Sequence, residues 1–122
     1  MGKVILIVDD DPKNLKLIRD VLQVNGFATL EAINGKQGVE IAKSKMPDLI
    51  LMDIQMPVMD GLEATRILKA DDSTNKIPIV ALTSYAMVGD EERLRDAGCD
   101  GYLGKPFHIK EFLKIVDEYL PG

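Results

Sequence analysis

Five short strand-like segments that alternate with five helix-like ones predict an α/β fold, a three-layer sandwich of helices over both faces of one parallel sheet. Three observations carry this expectation. Val4–Val8, Leu49–Met52 and Ile79–Thr83 are nearly unbroken apolar runs, as expected of strands buried on both faces. Each is followed by a segment of helical period, and strict alternation of this kind implies β-α-β crossovers. Such crossovers are right-handed, which for five strands points to the flavodoxin-like order 2-1-3-4-5.

The elements follow in order. Val4–Val8 is the first strand, and Asp11 caps the helix after it, with Pro12 in the first turn. Leu15, Ile18 and Leu22 share one face of that helix, and Asn25-Gly26 ends it. The second strand, Ala28–Ala32, carries Glu31 and belongs near an edge. Asn34 caps the second helix, in which Val39 and Ala42 point one way. Leu49–Met52 is the third strand. Asp60 caps the third helix, where Ala64, Ile67 and Leu68 recur at helical spacing. Ile79–Thr83 is the fourth strand. The fourth helix, 89–97, offers only Leu94 and Ala97 for burial, so it should be the most easily moved. Gly101–Leu103 is the fifth strand, and Phe112, Ile115, Val116 and Tyr119 mark the buried stripe of the last helix.

With 122 residues, the chain has the length of one domain, 1–122. Its net charge of −5 argues against nucleic acid as a direct partner. A single cysteine, Cys99, excludes an internal disulfide and suits a reducing cytoplasm. No apolar run has the length of a membrane span, and no signal-peptide pattern opens the chain. The sequence leads one to expect no effector domain, anchor or tail.

The chemistry lies at the carboxyl ends of the strands, where open α/β sheets bind ligands. The first strand delivers Asp9, Asp10 and Asp11, and the third delivers Asp53. In the 2-1-3-4-5 order these strands are neighbours, so Asp9, Asp10 and Asp53 converge. Clustered carboxylates repel, and a divalent cation relieves the conflict. Mg²⁺, or Mn²⁺, prefers such hard oxygen ligands, and Mg²⁺ keeps several waters. Asp11 is better explained as a helix cap. Thr83 brings a hydroxyl to the same rim and Lys105 an ammonium. This set suits a carboxylate that takes a phosphoryl group: Asp53 attacks, and Thr83 and Lys105 bind the transferred oxygens.

These residues, taken in order, resemble the receiver domain of bacterial two-component response regulators. The resemblance covers essentially the whole chain. It rests on Val8-Asp9-Asp10, on Asp53 with Met56-Pro57 and Asp60-Gly61, on Ala81-Leu82-Thr83, and on Tyr102 with Lys105-Pro106-Phe107. It implies that Asp53 is the phosphoacceptor, with Asp9, Asp10 and the backbone carbonyl of Gln55 on the metal side. Thr83 would sense the phosphoryl group. Tyr102 would swing inward and report through the surface of helix four, strand five and helix five. Gln55, Ser84 and Tyr85 would tune the lifetime of the acyl phosphate. Ser84 departs from the Ala found there in many receivers.

The segments around Asp-Ile-Gln-Met-Pro, Ala86-Met87 and 89–93 are similar to the single-domain cell-cycle regulators of α-proteobacteria. Receivers detached from hybrid histidine kinases are also close. The implied partners are a sensor histidine kinase or a histidine phosphotransfer protein, and a downstream protein target. The implied state is a monomer or a weak phosphorylation-dependent dimer. The chain would not be an enzyme beyond promoting its own phosphotransfer and dephosphorylation.

The rival reading is an aspartate-nucleophile phosphohydrolase of the haloacid dehalogenase type, whose Asp-x-Asp spacing occurs in Asp9-Asp10-Asp11. Those enzymes usually carry Thr or Val where Lys13 stands. A flavin carrier is disfavoured because Asp9-Asp10-Asp11-Pro12 repels phosphate. Cys99 reads as a packed side chain and His108 as a surface or capping residue.

Overall fold

The computed structural model describes residues 3–54, 59–83, 90–105 and 108–120. The elements run β1 (Val4–Val8), α1 (Pro12–Val24), β2 (Ala28–Ala32), α2 (Gly35–Lys45), β3 (Leu49–Asp53), α3 (Gly61–Ala70), β4 (Ile79–Thr83), α4 (Asp90–Ala97), β5 (Gly101–Gly104) and α5 (Ile109–Tyr119). All strand pairs are parallel, in the order β2-β1-β3-β4-β5. Two strands run one residue further than the sequence suggests. Asp53 is held in the ladder opposite Leu82, and Gly104 opposite Thr83.

Alternation along the strands divides the core between two layers. Ile5, Ile7, Leu49, Leu51, Val80 and Leu82 face Leu15, Ile18 and Leu22 of α1 and Phe112 and Val116 of α5. Leu6, Val8, Ile50, Met52 and Ile79 face Val39 and Ala42 of α2 and Ala64 and Leu68 of α3. A smaller cluster holds α4: Leu94 and Ala97 against Ile54, Leu62 and Ala81. Fully burying a large apolar side chain contributes roughly 1.5–3 kcal/mol. On that scale the described side chains of α4, one leucine and one alanine, hold it much more weakly than three large apolar side chains hold α1.

The helix starts are set by the side chains the sequence marks. Asp11 accepts from the Lys13 N–H, Asn34 from Gln37 and Asp60 from Glu63. Asn25 and Gly26, at φ +90°, end α1. The end of α2 carried no such signal. Met46 takes a left-handed φ of 49°, a conformation that favours glycine. Asp48, two residues later, ties the chain back: its carboxylate accepts from Val4 N–H and its own N–H donates to Val4 O, both at 2.8 Å. His108 is exposed and stands at the start of α5 without a side-chain capping bond.

Candidate functional site

The register of the sheet builds the site. Val8 pairs with Met52, so the residues that follow them, Asp9 and Asp53, leave the sheet side by side. Thr83 closes β4 one step beyond the partner of Asp53, and Lys105 follows the end of β5. Four strands therefore deliver an acid, an acid, a hydroxyl and an ammonium to one rim.

Asp9 is 1% exposed, Asp53 6% and Thr83 2%, a burial that ionised groups tolerate only when they are paired or used. One oxygen from each of Asp9, Asp10 and Asp53 lies within 4.8 Å of the others. Asp10 is exposed, so the cluster opens to solvent on its side. Asp9 spends one oxygen locally, accepting the Asp11 N–H at 2.9 Å. Its other oxygen lies 3.4 Å from Lys105 Nζ, and Asp53 Oδ1 lies 3.4 Å from the same nitrogen. Lys105 is itself fixed through its backbone, whose N–H donates to Thr83 O at 2.6 Å.

The donor set fits a hard divalent ion. Three carboxylates share one small volume, solvent can supply water ligands from the Asp10 side, and one ammonium stands against three negative charges. Asp11 does not join the cluster. Its carboxylate accepts the Lys13 N–H at 2.9 Å and caps α1.

Two glycines make close backbone contacts, one beside the end of β3 and one just before α3. Gly61 N–H donates to Ile54 O at 3.1 Å, and a methyl group on Gly61 would collide with the Asp53 carbonyl. Gly35 N–H donates to Met59 O at 3.0 Å. Sequence reading missed this second tie. Asn34-Gly35 reads locally as a helix start and carries no trace of a partner 24 positions away.

The remaining sequence candidates divide in two. Tyr102 is 44% exposed, on β5 opposite Ala81 of β4. Gln55, Ser84 and Tyr85, as well as Met56-Pro57 and Pro106-Phe107, lie outside the described residues. Cys99 is half-buried beside Thr65, and burial pushes its thiol up from its ordinary pKa, as expected of a packed side chain. Among the described residues, no helix is long and apolar enough to cross a membrane.

Comparison with known proteins agrees with the geometry. The family model for the response regulator receiver domain matches residues 5–117. The polar-differentiation response regulator DivK of Brucella anthropi is 44% identical over 120 residues, 98% of each chain, and that of Brucella ovis is 42% identical over the same length. The receiver domain of a sensor histidine kinase from Pseudomonas aeruginosa PAO1 superposes with a TM-score of 0.91 at 37% identity, covering 100% of both chains. That structure has a magnesium ion coordinated in its active site cleft. The chemotaxis protein CheY4 of Vibrio cholerae superposes with a TM-score of 0.92 at 26% identity, over 98% of this chain and 99% of its own. A match that runs from β1 into α5, on a sheet whose acids meet at one rim, places this chain in the response regulator receiver domain family of two-component signalling.

Proposed function

We propose that the whole chain, residues 1–122, is one receiver that works as a phosphorylation-driven switch, with Asp53 as the residue that takes the phosphoryl group. One juxtaposition supports this above all: Asp9, Asp10 and Asp53 within 4.8 Å, with Lys105 Nζ 3.4 Å from both Asp9 and Asp53. Asp53 forms an O–P bond as the P–N bond of a phosphohistidine donor breaks, and the imidazole leaves with the electron pair. Water later cleaves the acyl phosphate and restores the carboxylate. Asp9, Asp10 and Asp53 are the side chains that would hold Mg²⁺ or Mn²⁺, which when bound offsets negative charge on the transferring group. Lys105 places its ammonium beside the attacking carboxylate, and Thr83 supplies a hydroxyl for the transferred oxygens.

The donor is a sensor histidine kinase or a histidine phosphotransfer protein in the cytoplasm. The output is a protein contact through α4, β5 and α5, with Tyr102 as the reporter. Nothing in the geometry favours the hydrolase. Its general acid would be Asp11, which is engaged as a helix cap.

Acetyl phosphate with Mg²⁺, followed by borohydride reduction and peptide mapping, tests the reading. The label should fall on Asp53. A label on Asp9 would transfer the case to the hydrolase, and no label on either would overturn the switch.

A further inference from the structure

We propose that Gly35, in the first turn of α2, is a positioning residue for the acidic site: it fixes where Asp53 stands relative to Asp9 and Asp10. The inference rests on the metal-binding reading of that site and extends it to a residue on another helix.

The first four N–H groups of a helix have no partner within it. At the start of α2, two of the local tethers are side chains. Asn34 Oδ1 accepts the Gln37 N–H, and Gln37 Oε1 accepts the Ile33 N–H, both at 2.8 Å. The Gly35 N–H instead leaves the helix and donates to Met59 O at 3.0 Å. The contact leaves no room for a side chain. A Cβ at Gly35 would overlap the Met59 carbonyl and come within 3.1 Å of Asp60 O. Gly35 takes no positive φ, so its need for glycine is one of space rather than of backbone conformation.

The push would travel a short way. Asp60 caps α3, and Gly61 follows it directly. Gly61 leaves no room for a Cβ beside the Asp53 carbonyl, and its N–H is bonded to Ile54 O. A methyl group at position 35 displaces the Met59-Asp60 backbone. The displaced backbone presses Gly61 onto the end of β3, and Asp53 moves with it. Because the three carboxylates must meet within a few ångströms to share one ion, a shift of that size weakens metal binding more than it weakens the fold.

Titration calorimetry of the full chain with Mg²⁺ tests this. Gly35→Ala should raise the Mg²⁺ Kd at least five-fold. Leu22→Ala, in the layer on the other face of the sheet, should lower Tm at least as much and leave Kd unchanged. Should Gly35→Ala fail to fold, the helix cap decides the matter. Asn34→Ala, which frees the first turn of α2, should raise Kd at least two-fold, and Asn34→Ser, which keeps an acceptor, should restore it. Wild-type binding with Kd unchanged within two-fold in Gly35→Ala, or in Asn34→Ala where that variant decides, would overturn the brace alone. Wild-type protein that binds no Mg²⁺ would overturn the metal reading and the brace together.

Discussion

Lys105 serves two acids at once, and this makes the charge balance of the site testable one residue at a time. Unit charges 3.4 Å apart attract by about 5 kcal/mol at an effective dielectric near 20, before desolvation is subtracted. Removing the lysine leaves three carboxylates facing one another, two of them buried. Lys105→Met should therefore lower metal-free stability by about 2 kcal/mol in urea unfolding. Asp53→Asn works in the other direction. It spares the Asp9–Lys105 pair, and the two repulsions it removes outweigh the Asp53–Lys105 attraction it gives up, so it should raise metal-free stability by about 1 kcal/mol. Mg²⁺ at about 100 times its Kd should stabilise the wild type by about 2.7 kcal/mol and Asp53→Asn by clearly less. If the two variants shift stability in the same direction, the acids are not in electrostatic conflict. The positions of Asp9, Asp53, Thr83 and Lys105 were legible because each stands at the end of a strand or just after it. That Lys105 bridges Asp9 and Asp53 was not, because a lysine side chain can reach in many directions and only the backbone bond to Thr83 fixes its base.

The described side chains of α4 bury one leucine and one alanine, and an element held so lightly is the natural one to respond. Both, Leu94 and Ala97, pack in a small cluster with Ile54, which follows β3. Ile54 follows Asp53, so a charge change at Asp53 lies one residue from the apolar seat of α4. In metal-free protein, amides of residues 92–97 should exchange hydrogen faster than those of α1. Mg²⁺ with beryllofluoride should change exchange across 90–103. Unchanged exchange there would remove α4 and β5 from the output surface and leave the phosphoacceptor untested. At the other extreme, Asp60→Ala should cost about 1 kcal/mol through the lost cap of α3. Strand positions and helix caps were readable because Asp11, Asn34 and Asp60 act on N–H groups two or three residues away. The left-handed Met46 and the Gly35–Met59 tie were not, since both depend on how α2 meets distant chain.

Across the whole molecule, the end of the sheet away from the acids is knotted around Asp100. Lys69 of α3 donates to its carboxylate and to the carbonyl of Ile77, both at 2.8 Å. Ile79 N–H donates to the same carboxylate oxygen, and Tyr119 of α5 donates its hydroxyl to the Asp100 carbonyl at 2.8 Å. Cys99 stands beside this knot, on a cavity of about 270 Å³ that Tyr119 also lines. Burial, then the charges of Asp100 and Glu118, hold the Tyr119 phenol above its ordinary value of 10.0. Burial does the same to the Cys99 thiol. Both groups keep their protons to higher pH in the folded chain than in the unfolded one. Their contribution is complete below the unfolded pKa values and is lost as pH rises through the folded ones. Stability should therefore fall on the alkaline side of about pH 9. At pH 7, Tyr119→Phe should be less stable than the wild type by about 1 kcal/mol, the value of its hydrogen bond. As pH rises past 10 the wild type loses stability that the variant does not, and the gap should close. Urea midpoints for the two proteins between pH 7 and 11 measure it, and a gap that stays constant over that range would show that the phenol is not buried in the way that couples α5 to β5.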